Sequence, residues 1–90
     1  MDYREIRSAL MSKLEASEDR SGHHVFFYIT MDGHDFRAGK MSHSARGQAE
    51  DYIIQDTARR LKLTKPEFVS LVDCSINREQ HETIWRERDP

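Results

Sequence analysis

Apolar residues along the chain change period from one stretch to the next, and each change marks an element. Ile6, Leu10, Met11 and Leu14 recur every three or four residues, the spacing of a helix with one buried face. The polar run from Ser17 to Gly22 follows. Its short side chains compete for backbone groups and its glycine suits a helix stop, so it reads as a linker. From His23 to Met31 the chain becomes aromatic and β-branched, and Asp32-Gly33 then supplies the residues of a two-residue hairpin turn. A return strand runs from His34 to about Met41.

A two-residue turn fixes the register of such a hairpin. Counting back from it, Met31 faces His34, Ile29 faces Phe36 and Tyr28 faces Arg37. Phe27 then faces Ala38, Val25 faces Lys40 and His24 faces Met41. Val25, Phe27, Ile29, Phe36 and Ala38 share one face, taken as the core, with His23 on the same side. His24, Phe26, Tyr28 and Arg37 share the other.

Beyond the hairpin the period returns to that of helices. Ser42 or Ser44 is a candidate cap for a helix over about residues 46–61, with Ala49, Tyr52, Ile53, Ala58 and Leu61 as its apolar stripe. Thr64-Lys65-Pro66-Glu67 has the form of a capping box with proline in the first turn, opening a helix that buries Phe68, Leu71 and Val72. Asn77-Arg78-Glu79-Gln80 opens a last helix anchored by Ile84 and Trp85, with a charged tail expected to fray. The expected fold is α+β: an N-terminal helix, an antiparallel hairpin with room for a third strand, then two to three helices in one domain.

Composition narrows the class. One cysteine, Cys74, forbids an internal disulfide and suits a reducing compartment. No apolar run approaches the roughly 20 residues of a membrane span, and the first residues lack the apolar core of a signal peptide, so a soluble, cytoplasmic protein is expected. The net charge of -2 is unevenly spread: residues 1–36 carry -3, residues 37–65 carry +4 and residues 66–90 carry -3. The basic middle comprises Arg37, Lys40, Arg46, Arg59, Arg60, Lys62 and Lys65, candidates for holding phosphates; solvated faces whose signs happen to segregate are the plainer alternative.

His23, His24 and His43 fall near one end of the hairpin, with Lys40 and Ser42 close by. Histidine exchanges protons near neutral pH, and cleavage of RNA by its own 2′-hydroxyl needs a base, an acid and a cation beside the phosphate. Half-buried or surface histidines at a strand end are the competing reading. A zinc site would need a fourth ligand such as Cys74, far away in sequence, so no metal or other cofactor is expected. Phe26 and Tyr28 beside Arg37 suit base stacking on a sheet, although such residues more often lie beneath another element. Thr57 to Val72 resembles a helix-turn-helix of the phage-repressor type, with Lys62 where glycine usually sits. The outward Lys65, Glu67, Ser70 and Asp73 of its second helix suit base readout poorly.

Taken together, the first helix, Gly22-His23-His24-Val25-Phe26 opening a strand, Lys40-Met41-Ser42-His43 and a helix ending in Arg60-Leu61-Lys62-Leu63 resemble the HicA-type toxins of toxin–antitoxin systems. The resemblance spans about residues 3–63, with residues 64–90 as a helical extension. It implies a double-stranded-RNA-binding-like fold with a three-stranded sheet, and messenger-RNA cleavage through a histidine at the start of the first strand, here His23 or His24. His43 and Lys40 would assist. It also implies a cognate antitoxin as partner. The alternative is a non-catalytic interaction or inhibitor protein that binds a protein partner, or a helix-turn-helix accessory protein that binds DNA.

Overall fold

The computed structural model describes residues 1–88 as an α+β fold in which three helices follow a helix and a three-stranded antiparallel sheet. Helix α1 (Tyr3–Ser8) is capped by the Asp2 carboxylate, which accepts from the Glu5 N–H at 2.8 Å, and continues as a π-helical turn over Ala9–Lys13. Strands β1 (Ser17–Ser21), β2 (His24–Met31) and β3 (His34–Ser42) are neighbours in that order. Helices α2 (Asp51–Arg60), α3 (Lys65–Val72) and α4 (Arg78–Arg88) complete the chain.

The segment read as a linker is a strand. Ser17 to Ser21 pairs with Tyr28 to His24, and Gly22 takes a φ of 61° at the first position of a second tight turn. β1 carries no core residue, which is why apolar periodicity misses it. It is a polar edge, and its Glu18 accepts two hydrogen bonds from Arg7 of α1, at 3.2 Å each. The Arg7 guanidinium holds the Glu18 carboxyl below the usual carboxylate range.

The hairpin register holds from Met31–His34 to Tyr28–Arg37 and then slips by one, so that Phe27 pairs with Gly39, Phe26 with Lys40, Val25 with Met41 and His24 with Ser42. Ala38 is the extra residue of a β-bulge. An unbroken register would have turned Lys40 toward the apolar side with Val25. The bulge moves Lys40 into solvent and brings Met41 into the core instead. It also puts Gly39 under the helices, where a Cβ would lie 3.3 Å from Leu10 Cδ1.

One face of the sheet packs on the helices. Phe27, Ile6, Leu10, Leu61, Phe68 and Leu71 are almost wholly buried, and Trp85 of α4 joins the same cluster. Phe36 is only half-buried, stacked on Trp85 with ring centroids 4.4 Å apart.

Helix α2 begins at Asp51, later than its apolar spacing predicts, and neither Ser42 nor Ser44 caps it. Residues 47–49 are drawn instead into pairing with the N-terminus: Tyr3 N–H donates to the Gly47 carbonyl, Ala49 N–H to that of Met1, and the Met1 amino group to Gln48 Oε1. Tyr52, placed on the apolar stripe by its spacing, is 67% exposed, and Ile54 and Thr57 take the buried positions. Thr57 can do so because its hydroxyl donates to the Ile53 carbonyl at 2.8 Å.

The capping boxes are present as expected, Thr64 with Glu67 and Asn77 with Gln80. The tail after Trp85 does not fray through Arg88. Arg86 bonds Asp32 in the hairpin turn, and Arg88 forks onto Glu67 and reaches the Lys62 carbonyl. Hydrogen bonds from Arg88 and Thr64 pull the Glu67 carboxyl down to about 2. Asp89 and Pro90 lie outside the described residues. No helix among those described is long and apolar enough to cross a membrane.

Candidate nucleic-acid interface

Strand alternation gives the sheet a second face, and among the described residues it is left to solvent. Ser17, Asp19 and Ser21 of β1, His24, Phe26, Tyr28 and Thr30 of β2, and Asp35, Arg37, Lys40 and Ser42 of β3 share it. Most are exposed, Tyr28 at 36%, while Phe26 is half-covered. The cover over Phe26 is local and polar. The Arg37 guanidinium lies 5.3 Å from its ring centre, and the His24 ring is 6.1 Å away on the other side. Two aromatic rings on alternate positions of a central strand, with a cation beside one, form a surface on which unpaired bases can stack.

The bulge sets where the cations go. Arg37 and Lys40 flank it and line a groove of about 310 Å³ with Tyr52, Ile53, Asp56, Arg59 and Arg60 of α2. Four sequence-predicted site residues therefore meet here. Arg59 and Arg60 both bond Asp56, at 2.9 Å each. Burial opposes ionisation of Asp56, but those hydrogen bonds outweigh it and hold the carboxyl below its ordinary range.

The remaining basic candidates lie elsewhere. Lys65 is bonded to Asp51, and the Lys62 ammonium sits 4.1 Å from the centre of the Trp85 ring. Arg46 lines a separate groove of about 510 Å³ with His43, Arg4, Arg7 and Asp2.

The histidines are gathered by backbone but divided by side chain. His23 occupies the β1–β2 turn, exposed and off the apolar face. Its carbonyl accepts from the His43 N–H at 2.9 Å, a pairing created by the register slip. His24 faces the open side of the sheet, whereas His43 lines the groove with Arg46 beside buried Met41. Lys40 is on the Phe26 side. Among the described residues no group of three or more His, Cys, Asp or Glu side chains is arranged to hold a metal ion.

No family model, curated protein or solved structure matches the chain significantly.

Two groove residues escape sequence reasoning. Tyr52 has an apolar spacing that hides its exposure. Arg4 comes beside Arg46 only because residues 47–49 pair with the N-terminus, a contact across more than 40 positions that no local pattern announces. The helix pair α2–α3 is joined through Lys62 at a φ of 61°, so the tight turn forms without glycine. The polar side chains of α3 are engaged internally, Glu67 by Arg88 and Asp73 by the Ser75 N–H, which leaves little for reading base edges.

Proposed function

We propose that this chain is a HicA-like RNA-binding domain that takes single-stranded RNA on the open face of its sheet and cleaves it at the histidine end. The observation that carries the reading is the pair of rings on the open face, exposed Tyr28 and half-covered Phe26, with Arg37 against Phe26 and His24 next along the strand. Duplex RNA hides its base faces, while an unpaired strand can lay successive bases on aromatic rings. Arg37, Lys40, Arg59 and Arg60 hold the backbone of that strand.

For cleavage, an imidazole removes the proton from a 2′-hydroxyl, whose oxygen attacks the adjacent phosphorus. The bond to the 5′-oxygen breaks, and a second group returns a proton to it. His24 is the imidazole that RNA stacked on Phe26 meets first, and His23 follows it in the turn. The third strand and the order helix, three strands, helix over residues 3–60 support the resemblance to HicA-type toxins. One feature differs: the resemblance puts the working histidine at the start of the first strand, and here His24 opens the second.

The test is cleavage of a single-stranded RNA by purified protein, with and without EDTA, beside a His23→Ala/His24→Ala variant. Cleavage that survives EDTA and vanishes in the variant is expected; activity unchanged in the variant sinks the catalytic assignment. Binding is read separately, by anisotropy at low salt, where phosphate contacts are strongest. Phe26→Ala/Tyr28→Ala is expected to weaken it by about tenfold or more, since each stacked base contributes roughly 1–3 kcal/mol.

The second reading is a non-catalytic module that binds a protein partner, an antitoxin or another protein. The division of His24 and His43 between two sides of the ribbon favours it. Absence of both cleavage and RNA binding would overturn the first reading and leave this one standing.

A further inference from the structure

The groove between β3 and α2 carries more charge than an internal RNA phosphate needs. Its walls hold Arg37, Lys40, Arg59 and Arg60 against Asp56 alone, a formal balance of +3 in about 310 Å³ on a protein whose net charge is -2. An internal phosphodiester brings one negative charge, whereas a phosphomonoester brings about -1.5 to -2 near pH 7 and three acceptor oxygens. One guanidinium fork is satisfied by two oxygens, so three guanidiniums and an ammonium around one phosphorus are better matched by a monoester's three oxygens and larger charge.

The groove also runs along the β3 side of the stacking surface, with Lys40 paired to Phe26 and Arg37 to Tyr28. Arg37 touches both, lining the groove while its guanidinium covers Phe26. Across the groove from the sheet stands Tyr52, 67% exposed, an aromatic ring with no role in the core. Asp56 bonds both arginines of α2; Arg60, 35% exposed, is restrained beside it, while Arg59, 81% exposed, keeps its reach into the groove.

We infer that this groove receives the terminal phosphate of an RNA strand, a phosphomonoester, whose adjoining bases lie on Phe26 and Tyr28. The inference rests on the RNA-binding reading for the identity of the ligand, but the groove's preference for a monoester stands on its own charge. Lys40 and Arg59 contact the phosphate, Arg37 links phosphate to stacked base, and Asp56 orients the α2 arginines. The domain therefore reads strand ends, and its position on an RNA is set from the end inward.

The experiment compares short oligonucleotides of one sequence carrying a 5′-phosphate, a 3′-phosphate or hydroxyls at both ends. Anisotropy is measured on the whole chain, with the His23→Ala/His24→Ala variant used wherever the RNA is cut. One phosphorylated end is expected to bind about tenfold tighter than the hydroxyl form, the increment of an added charge-assisted contact. The arm that shows it assigns the polarity of the bound strand. In Lys40→Gln/Arg59→Gln the ratio between phosphorylated and hydroxyl forms is expected to fall to about one. Both sites are on the surface, and circular dichroism verifies the fold. Equal affinity for all three ends in the native sequence overturns the inference while leaving RNA binding intact. Adenosine monophosphate against adenosine, followed by chemical-shift changes at Lys40, Arg59 and Arg60, covers the opposite case. If no RNA binds but the monophosphate alone shifts these residues, the groove stands and the stacking surface falls; no shift with either overturns the groove as well.

Discussion

The two ends of the β2–β3 ribbon are built in opposite ways. At the Asp32–Gly33 end, α4 straps the turn: Arg86 holds Asp32, Trp85 stacks on Phe36, and Lys62 lies on the far side of Trp85. His81, one turn before Trp85, is wholly buried with its Nε2–H donating to the Leu61 carbonyl at 3.0 Å. At the other end His23, His24 and His43 are exposed, and the Phe26 ring lies between His24 and the Arg37 guanidinium. Burial that stabilises a fold and exposure that leaves groups free for a ligand are thus assigned to separate ends of one ribbon. The difference teaches where function should be sought, because a ring without a core role still carries an energetic cost of exposure.

The largest effect that can break this contrast is in Trp85. Trp85→Ala removes the ring shared by Phe36, His81 and Lys62, and a loss of about 3–5 kcal/mol is expected from urea unfolding. Tyr28→Ala, on the open face, is expected to change stability by less than about 0.5 kcal/mol while weakening RNA binding. Similar destabilisation by the two substitutions would mean that the open face is covered in solution and that the contrast is false.

A smaller effect depends on pH. Burial pushes the His81 pKa below its ordinary value, against the opposing hydrogen bond from its own Nε2–H to Leu61, and Nδ1 has no partner. A depressed folded-state pKa means that the unfolded chain binds the proton more readily. The stability contributed by neutral His81 is thus fully present above about pH 6.5, the unfolded value, and is lost as pH falls from there through the folded value. The slope in that window is at most about 1.4 kcal/mol per pH unit for one proton. Its signature is separate from that of Glu67, whose folded pKa of about 2 places its loss of stability between the ordinary carboxylate value and that lower one. His81→Leu is expected to flatten the curve between pH 7 and 5. A slope that persists in this variant assigns the titration to another histidine and removes His81 from the strap's pH response.

How much of this was legible in the chain follows from range. Asp32-Gly33 fixes its own turn, and Thr64 and Asn77 find their capping partners three residues away, so those elements are read directly. The bulge at Ala38 answers a conflict two residues further on, between Lys40 and the apolar side of the sheet, and a register counted from the turn passes through it unaware. β1 has no apolar signature because an edge strand buries little; its one local sign is Gly22 ahead of His23, the mark of a tight turn. Within the candidate site, the chain shows which residues are basic or imidazole-bearing. It does not show that Arg37, Lys40, Arg59 and Arg60 converge while Arg46, Lys62 and Lys65 go elsewhere, since α2 reaches β3 through tertiary packing at Gly39.

The finest comparison lies in two helix ends that turn in the same way. Lys62 after α2 and Cys74 after α3 both take left-handed backbone, with φ of 61° and 75°. In each case the next N–H reaches back to the last turn, Leu63 to the Ala58 carbonyl and Ser75 to that of Ser70. A residue with a Cβ pays about 1 kcal/mol for this conformation, and glycine does not. Cys74 is exposed, so Cys74→Gly is expected to stabilise by about 1 kcal/mol. Lys62 belongs to the strap through its contact with the Trp85 ring, which contributes about 0.5–1 kcal/mol, so Lys62→Gly should come out near zero. The urea midpoint is therefore expected to rise for the first substitution and to stay for the second. Equal rises would show that the Lys62 ammonium adds nothing to the strap, leaving Phe36, His81 and Arg86 to hold α4 against the hairpin.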